Sequence, residues 1–404
     1  NQDIGSWNVS NGNNFGGMFS GATSFNQDIN SWNVSSGNDF NRMFDSADAF
    51  NQDIGSWDVS SGTSFEGMFY EADAFNQDIG NWNVSSGYSF HSMFRNADAF
   101  NQDIGSWDVS FGTTFMLMFS GASSFNQDIG SWDVSSGTNF GYMFHNAAAF
   151  NQDIKNWNVG SGINFGGMFA GADVFNQNIG SWDVSNGINF SQIFFNASSF
   201  NKDIGSWDVS SGTYFAEMFF NASAFNQDIS SWDVGSGINF SGMFYDAEAF
   251  DQNISLWDVS NGTNFADMFL SSLASRNQGI ASTPNTSYFD ATTGDDTITG
   301  GAGNDAIVGG LGQDISIYAG NQADYTFEAS SDGLRVTVTE VGTGDKDVVR
   351  GVETLRFSDG DITVSHDDAL NRLVLTGTTG TDTITVVGSN PVTVLGIDGA
   401  DVIT

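Results

Sequence analysis

The sequence predicts a repeat solenoid of the α/β kind, with one parallel strand and one short helix per coil. A short β-roll and a β-sandwich-like cap are predicted to follow it. Three observations carry this reading. A period of 25 residues runs from Asn1 to Ser275 without insertion or deletion, giving eleven copies. Inside each copy a two-residue alternation precedes apolar residues at helical spacing. Beyond residue 293 the language changes to Gly- and Asp-rich nonapeptides. A fixed period of this length marks an array in which each unit buries its apolar face by stacking on its neighbours.

The elements of one copy follow in chain order. Trp7 and Val9 alternate with Ser6, Asn8 and Ser10, the pattern of a half-buried strand. Its outward face is small and polar, and it lacks the regular Thr ranks of an ice-binding plane. Ser10-Asn11-Gly12 is a turn, and the residue before Phe15 can cap a helix. Phe15, Met18, Phe19 and Ala22 fall at i, i+3, i+4 and i+7, one face of that helix. Phe25 and the next Asn-Gln return the chain.

Stacking places like on like. Ile4, Trp7, Val9, Phe15, Met18, Phe19, Ala22 and Phe25 are predicted to point inward. So are their equivalents, such as Trp57, Trp132, Phe65, Met68 and Phe69. All 11 Trp sit at the seventh place, and 32 of the 38 Phe fill three columns, so the aromatics are the core. Eleven strands at about 4.8 Å would make a rod of roughly 50 Å. Ser272 and Ser275 replace the expected Ala and Phe, so the array ends there.

Charge narrows the function. The chain carries 48 Asp+Glu against 10 Lys+Arg, a formal charge of −38, with no Cys and three His. Nucleic-acid binding needs a basic face and is excluded. Thiolate metal sites, disulfide frameworks and Cys nucleophiles need cysteine. No apolar run reaches membrane-spanning length. Carboxylate pairs occur in repeated columns, whereas catalysis needs one asymmetric site, so no enzyme is expected.

The first place of each copy, Asn in ten of eleven, reads as a side-chain ladder between turns. The eighth place is Asp in seven copies and Asn in four. Two readings stay open for it. One is a solvated face whose Asp also bond the turn. The other is divalent-cation bridging along Asp183, Asp208, Asp233 and Asp258.

The repeats have a family likeness. The string from Phe125, FNQDIGSWDVSSGTNFGYMF, resembles the bacterial surface-protein repeat of about 26 residues, a relative of leucine-rich-repeat solenoids. Asp53, Ile54, Trp57, Asp58, Val59 and Ser60 carry one half of the match. Phe65, Met68, Phe69 and Ala72 carry the other. The period here is 25, and Ser-Gly-Thr-Asn-Phe stands where that family tends to have Asn-Val-Thr-Asn-Met. The resemblance implies a cell-surface location and interaction roles, and no enzyme activity.

The remainder divides into a connector at 276–293, a β-roll at 294–318, a cap at 319–366 and a further module at 367–404. Gly300-Gly301-Ala302-Gly303-Asn304-Asp305-Ala306-Ile307-Val308 is a GGxGxDxUx nonapeptide, and Gly309–Asp314 begins another. Glycines such as Gly301, Gly303, Gly310 and Gly312 permit the tight turn that lets backbone carbonyls converge. Asp296, Asp305 and Asp314 would add carboxylates. Calcium wants six to eight hard oxygens, so one or two calcium ions are expected there.

This segment resembles the hemolysin-type, repeats-in-toxin family. Tyr318–Phe327, Leu334–Val338 and Gly351–Gly360 look like the β-rich cap that often follows such rolls. The resemblance implies type I secretion, unfolded in a calcium-poor cytoplasm and folding outside. Gly380-Thr-Asp-Thr-Ile-Thr and Gly399-Ala-Asp-Val-Ile-Thr echo Gly294-Asp-Asp-Thr-Ile-Thr. The chain starts at Asn1 without Met or a signal sequence and stops mid-phrase, so a piece of a longer protein is expected.

The functional expectation is a secreted, non-enzymatic structural or adhesive protein with calcium-dependent folding. It would self-associate into a filament or surface layer. The alternative is an adhesin module that binds a glycan or a cell surface without polymerising.

Overall fold

In a computed structural model of the chain, the residues described are 2–252, 254, 257–272, 297–299, 306–309, 312–330, 333–367, 370, 372–395 and 402–403. The chain divides into two compact units. One is residues 1–250 with 261–264, and the other is 251–260 with 265–404.

The described residues of the repeats contain no α-helix, and no strand beyond a single bridged residue per coil. Both predicted elements of the copy are therefore replaced. The bridge sits at the fourteenth place and runs parallel at intervals of 25, from Asn14↔Asp39 to Asn239↔Asn264. Trp7 lies in a turn closed by its N–H to the Ile4 carbonyl at 3.0 Å. A second turn closes from Gly12 N–H to the Val9 carbonyl at 2.8 Å. The stretch 6–10 is thus two turns, not a strand.

The predicted helix fails for a visible reason. Met18 N–H bonds the Phe15 carbonyl at 3.2 Å, and Ala22 N–H bonds the Phe19 carbonyl at 3.0 Å. Each is a four-residue turn with a left-handed residue at its third place, Gly17 (φ 64) and Gly21 (φ 70). A type II turn requires that conformation, and an α-helix excludes it. The same two places have positive φ in later coils, including Arg42 (φ 53), Glu71 (φ 54), Leu117 (φ 59) and Tyr142 (φ 55). Two successive turns of four put apolar side chains at i, i+3, i+4 and i+7, the spacing that a helix also gives.

The backbone N–H groups freed by this arrangement bond along the stack. Phe15, Gly17, Phe19 and Gly21 donate to the carbonyls of Asp39, Asn41, Met43 and Asp45, at 2.8, 2.8, 2.8 and 2.7 Å. The next coils repeat the pattern, as from Phe44 to Met68 at 2.9 Å. Each of the first ten coils is hydrogen-bonded to the one 25 residues on. This satisfies backbone groups that a buried turn would otherwise leave bare.

Side chains stack in the same register. Phe15 lies on Phe40 at 5.6 Å between ring centroids, Phe25 on Phe50 at 5.8 Å, and Trp32 on Trp57 at 6.5 Å. Trp57, Trp132, Phe65, Met68 and Phe69 are buried. The Trp132 indole N–H also donates to the Ile104 carbonyl at 3.0 Å. Trp7 differs from the inward assignment, being 59% exposed. The reason is geometric. A Trp is covered by the place-nineteen Phe of the coil before it, as Phe19 covers Trp32 at 5.9 Å, and Trp7 has no such Phe.

Glycine at the twelfth place answers a packing demand. A Cβ on Gly62 would stand 2.6 Å from Phe65 Cζ and 2.9 Å from the Val59 carbonyl oxygen, closer than real contacts allow.

The described residues of the second unit form twelve short strands. They are β1 (Thr297–Ile298), β2 (Ala306–Val308), β3 (Ile315–Ile317), β4 (Tyr325–Ala329), β5 (Arg335–Glu340), β6 (Lys346–Arg350), β7 (Thr354–Phe357), β8 (Gly360–Asp367), β9 (Arg372–Thr376), β10 (Thr383–Ile384), β11 (Val392–Leu395) and β12 (Val402–Ile403). One sheet has the order β1-β3-β7-β8-β9-β11, another β2-β6-β5-β4, and β10 pairs with β12. Ile298, Ile307, Phe327, Val349, Leu355, Ile362, Leu375 and Ile384 share one buried cluster. Residues of the expected roll, cap and further module therefore pack in a common core.

Candidate metal site and acidic columns

The roll segment shows a nine-residue step. Thr297 of β1 pairs in parallel with Ile315 of β3, eighteen positions on. Between them β2 lies in the other sheet, where Ala306 pairs with Val348. The strands of successive nonapeptides thus alternate between two sheets. Ile298 and Ile307 fill the space between.

Of the expected ligand and turn residues, Asp296, Gly301, Gly303, Asp305 and Gly310 lie outside the described residues. Gly312 is exposed, with φ +145, a conformation that favours glycine. Asp314 is fully buried immediately before β3. Its carbonyl accepts N–H bonds from Glu353 (3.2 Å) and Thr354 (3.0 Å), and its own N–H donates to Glu353 Oε2 at 2.9 Å. Glu353 therefore brings a second carboxylate next to the Asp314 backbone. The Gly351–Gly360 motif contained it, but only register with β3 reveals the neighbour. Gly309 is closely packed there too, since a Cβ would collide with the Gly351 carbonyl. The buried Asp314 carboxylate, with Gly309 and Gly312 close by in sequence, is hard-oxygen chemistry and fits a calcium ion. Among the described residues, no group of three or more acidic, His or Cys side chains is gathered to hold a metal.

The echo at 380–385 is a related piece. Leu373 pairs with Val392 and Thr383 with Val402, and strands alternate between sheets as in the first roll. Asp382 occupies the place before β10 that Asp314 has before β3. It is buried, and Oδ2 accepts the Thr378 N–H at 2.7 Å while Oδ1 accepts Gln322 Nε2 at 3.1 Å. Gln322 in turn accepts the Thr383 N–H at 2.9 Å. Protein donors here serve a carboxylate that the motif alone would assign to a cation. The Gln322 partner lies 60 residues away and left no local signal.

On the repeats, the first-place Asn form a ladder. Asn51 Oδ1 accepts the Asn76 N–H at 3.0 Å and Gln77 Nε2 at 2.9 Å. The eighth-place carboxylates close local turns. Asp58, Asp183 and Asp208 each accept a Ser hydroxyl at 2.6 Å, from Ser60, Ser185 and Ser210, together with that residue's N–H. Those hydroxyls, then the N–H groups, hold the three carboxyls below the ordinary Asp range. The solvated-turn reading needs only these contacts.

Two family matches define the class of the chain. Residues 1–104, 72–182 and 164–282 match the family described as "Mycoplasma protein of unknown function, DUF285", and residues 288–315 match the RTX calcium-binding nonapeptide repeat. The chain belongs to the DUF285 family, whose repeats span all eleven coils. No curated protein and no solved structure matches it. No helix among the described residues is long and apolar enough to cross a membrane.

Proposed function

We propose that the chain is a non-enzymatic extracellular or surface-displayed protein. Its repeats form a solenoid rod, and its C-terminal unit folds on calcium held by the Gly/Asp turns around Asp305 and Asp314. The nonapeptide match supports calcium, with Asp296 as a further carboxylate and the glycine turns supplying carbonyls. Type I export follows from the same match as part of the reading. Copies of the rod associate side by side into a filament or layer.

One observation carries the association. The thirteenth place points outward, and Ile163, Ile188 and Ile238 are exposed there, with Tyr214 exposed at the adjoining place. Apolar side chains on coils seven, eight and ten, with Tyr214 beside Thr213 on coil nine, make a stripe that a surface repeat otherwise avoids. Thr63, Thr113, Thr138, Thr213 and Thr263 occupy the same place in other coils. The triple variant Ile163→Thr/Ile188→Thr/Ile238→Thr therefore keeps the fold. Sedimentation and negative-stain microscopy of both proteins in calcium test the reading. Wild type is expected to form ordered assemblies and the variant single rods. Single wild-type rods, or assemblies unchanged in the variant, contradict it.

A further inference from the structure

The repeat unit is overwhelmingly acidic, yet its few basic groups are not scattered evenly. Only Arg42, Arg95, Lys155 and Lys202 are basic between residues 1 and 275. Two of them line one cavity of about 180 Å³ on coils two to four, with Glu66, Gly67, Tyr70, His91 and Ser92. The cavity follows from the repeat. Its lining comes from the sixteenth, seventeenth and twentieth places of successive copies. The seventeenth-place column there reads Arg42, Gly67, Ser92. The missing side chain at Gly67 leaves a hollow between its two neighbours.

The charges in this hollow are incompletely answered. Arg95 lies over the Tyr70 ring, 5.3 Å from guanidinium carbon to centroid. Its Nε is buried with no hydrogen-bond partner, in a chain with 48 carboxylates and 10 Lys+Arg. A donor left unmade costs free energy, so an acceptor brought within reach of this guanidinium is favoured. Arg42 only approaches Asp45, at 4.0 Å, and remains largely exposed. His91 Nδ1 stands 3.5 Å from Glu66 Oε1. Ser92 Oγ lies 3.4 Å from His91 Nε2.

We infer that this hollow binds an acidic sugar of the hexuronate class through its carboxylate. The donor set selects the class. A guanidinium fork matches a planar carboxylate. Glu66 and Ser92 suit sugar hydroxyls, and Glu66 would repel a ligand that was anionic throughout. The field of a chain at −38 opposes a dianion more than a monoanion, which disfavours phosphate. The hollow has room for a single ring. The site stands apart from the proposed side-by-side association, being built from other places of the coil.

D-glucuronate is the probe, with D-glucose and inorganic phosphate as comparisons, titrated into the 404-residue chain and followed by calorimetry and ligand-observed NMR. Glucuronate is expected to bind, with glucose and phosphate at least about tenfold weaker. Arg95→Gln is expected to weaken glucuronate about tenfold, the loss of a charge-assisted pair. Gly67→Gln fills the hollow and is expected to abolish binding. Gln192 already occupies that place with positive φ (60) in coil eight, so the backbone accepts it. Lys155→Gln removes a distant charge and is expected to leave affinity unchanged. Circular dichroism checks that each variant is folded. The inference is overturned if glucuronate fails to bind. It is equally overturned if glucose or phosphate binds as well, or if folded Arg95→Gln and Gly67→Gln bind like wild type.

Discussion

Trp132 shows how a single residue contributes to the array. It is 3% exposed, stacks on Trp107 and Trp157 at 6.5 and 6.4 Å, and spends its indole N–H on the Ile104 carbonyl. Trp132→Ala removes the stacking partner of two coils and one of the two donors to the Ile104 carbonyl, which keeps the Trp107 N–H at 3.1 Å. The expected cost is about 3–5 kcal/mol, read as a lowered urea midpoint. An unchanged midpoint would contradict the core role of that column. Residue types at this scale were legible in the sequence, because a column of identical Trp has no other use for so much apolar surface. The exposure of Trp7 was not, since the cover of a Trp comes from the preceding coil and not from its own copy.

At the scale of the element, the reading from periodicity was half right. Apolar spacing located the inward side chains but not the backbone that carries them. Turns of four and a helix both bring i, i+3, i+4 and i+7 to one side. The missing signal was the twenty-first place, where Gly21, Asn96, Gly121, Asn146, Gly171, Asn196 and Asn221 recur. Gly and Asn are the residues that tolerate left-handed φ, and their recurrence inside a supposed helix argues for a turn.

The Asp–Ser turns of the eighth place make an element-scale prediction. Asp58, Asp183 and Asp208 titrate below their ordinary value when folded. A depressed folded pKa gives stability that is fully present above the unfolded value of 3.8 and lost as pH falls through the folded one. The variant Ser60→Ala/Ser185→Ala/Ser210→Ala is expected to be less stable than wild type at neutral pH. The gap should close in strong acid, where those carboxyls are protonated in both. A gap independent of pH would show that the Ser act by packing alone. The carboxylates are largely exposed, so the effect is small.

For the whole molecule, the formal charge of −38 separates into two kinds. On the repeats, 29 carboxylates stand against 4 basic residues, and eighth-place Asp such as Asp58, Asp183 and Asp208 accept turn donors. Around residues 296–314 the carboxylates belong to the segment that matches the calcium-binding nonapeptide repeat. The nonapeptide motif made the strand spacing legible, because β1, β2 and β3 follow at its nine-residue step. Asp382, Gln322 and Glu353 were not legible as a network, since strand pairing joins residues far apart in sequence.

In the function proposed above, the repeats hold themselves together coil to coil, while the C-terminal unit depends on calcium. Hydrogen exchange of the chain, in calcium and after chelation, tests it most directly. Amides of the fifteenth, seventeenth, nineteenth and twenty-first places in coils two to nine should be protected in both conditions. Those of β1, β2 and β3 should be protected in calcium and exchange rapidly after chelation. Protection of β1–β3 that ignores calcium, or repeat amides that lose protection on chelation, would contradict the account.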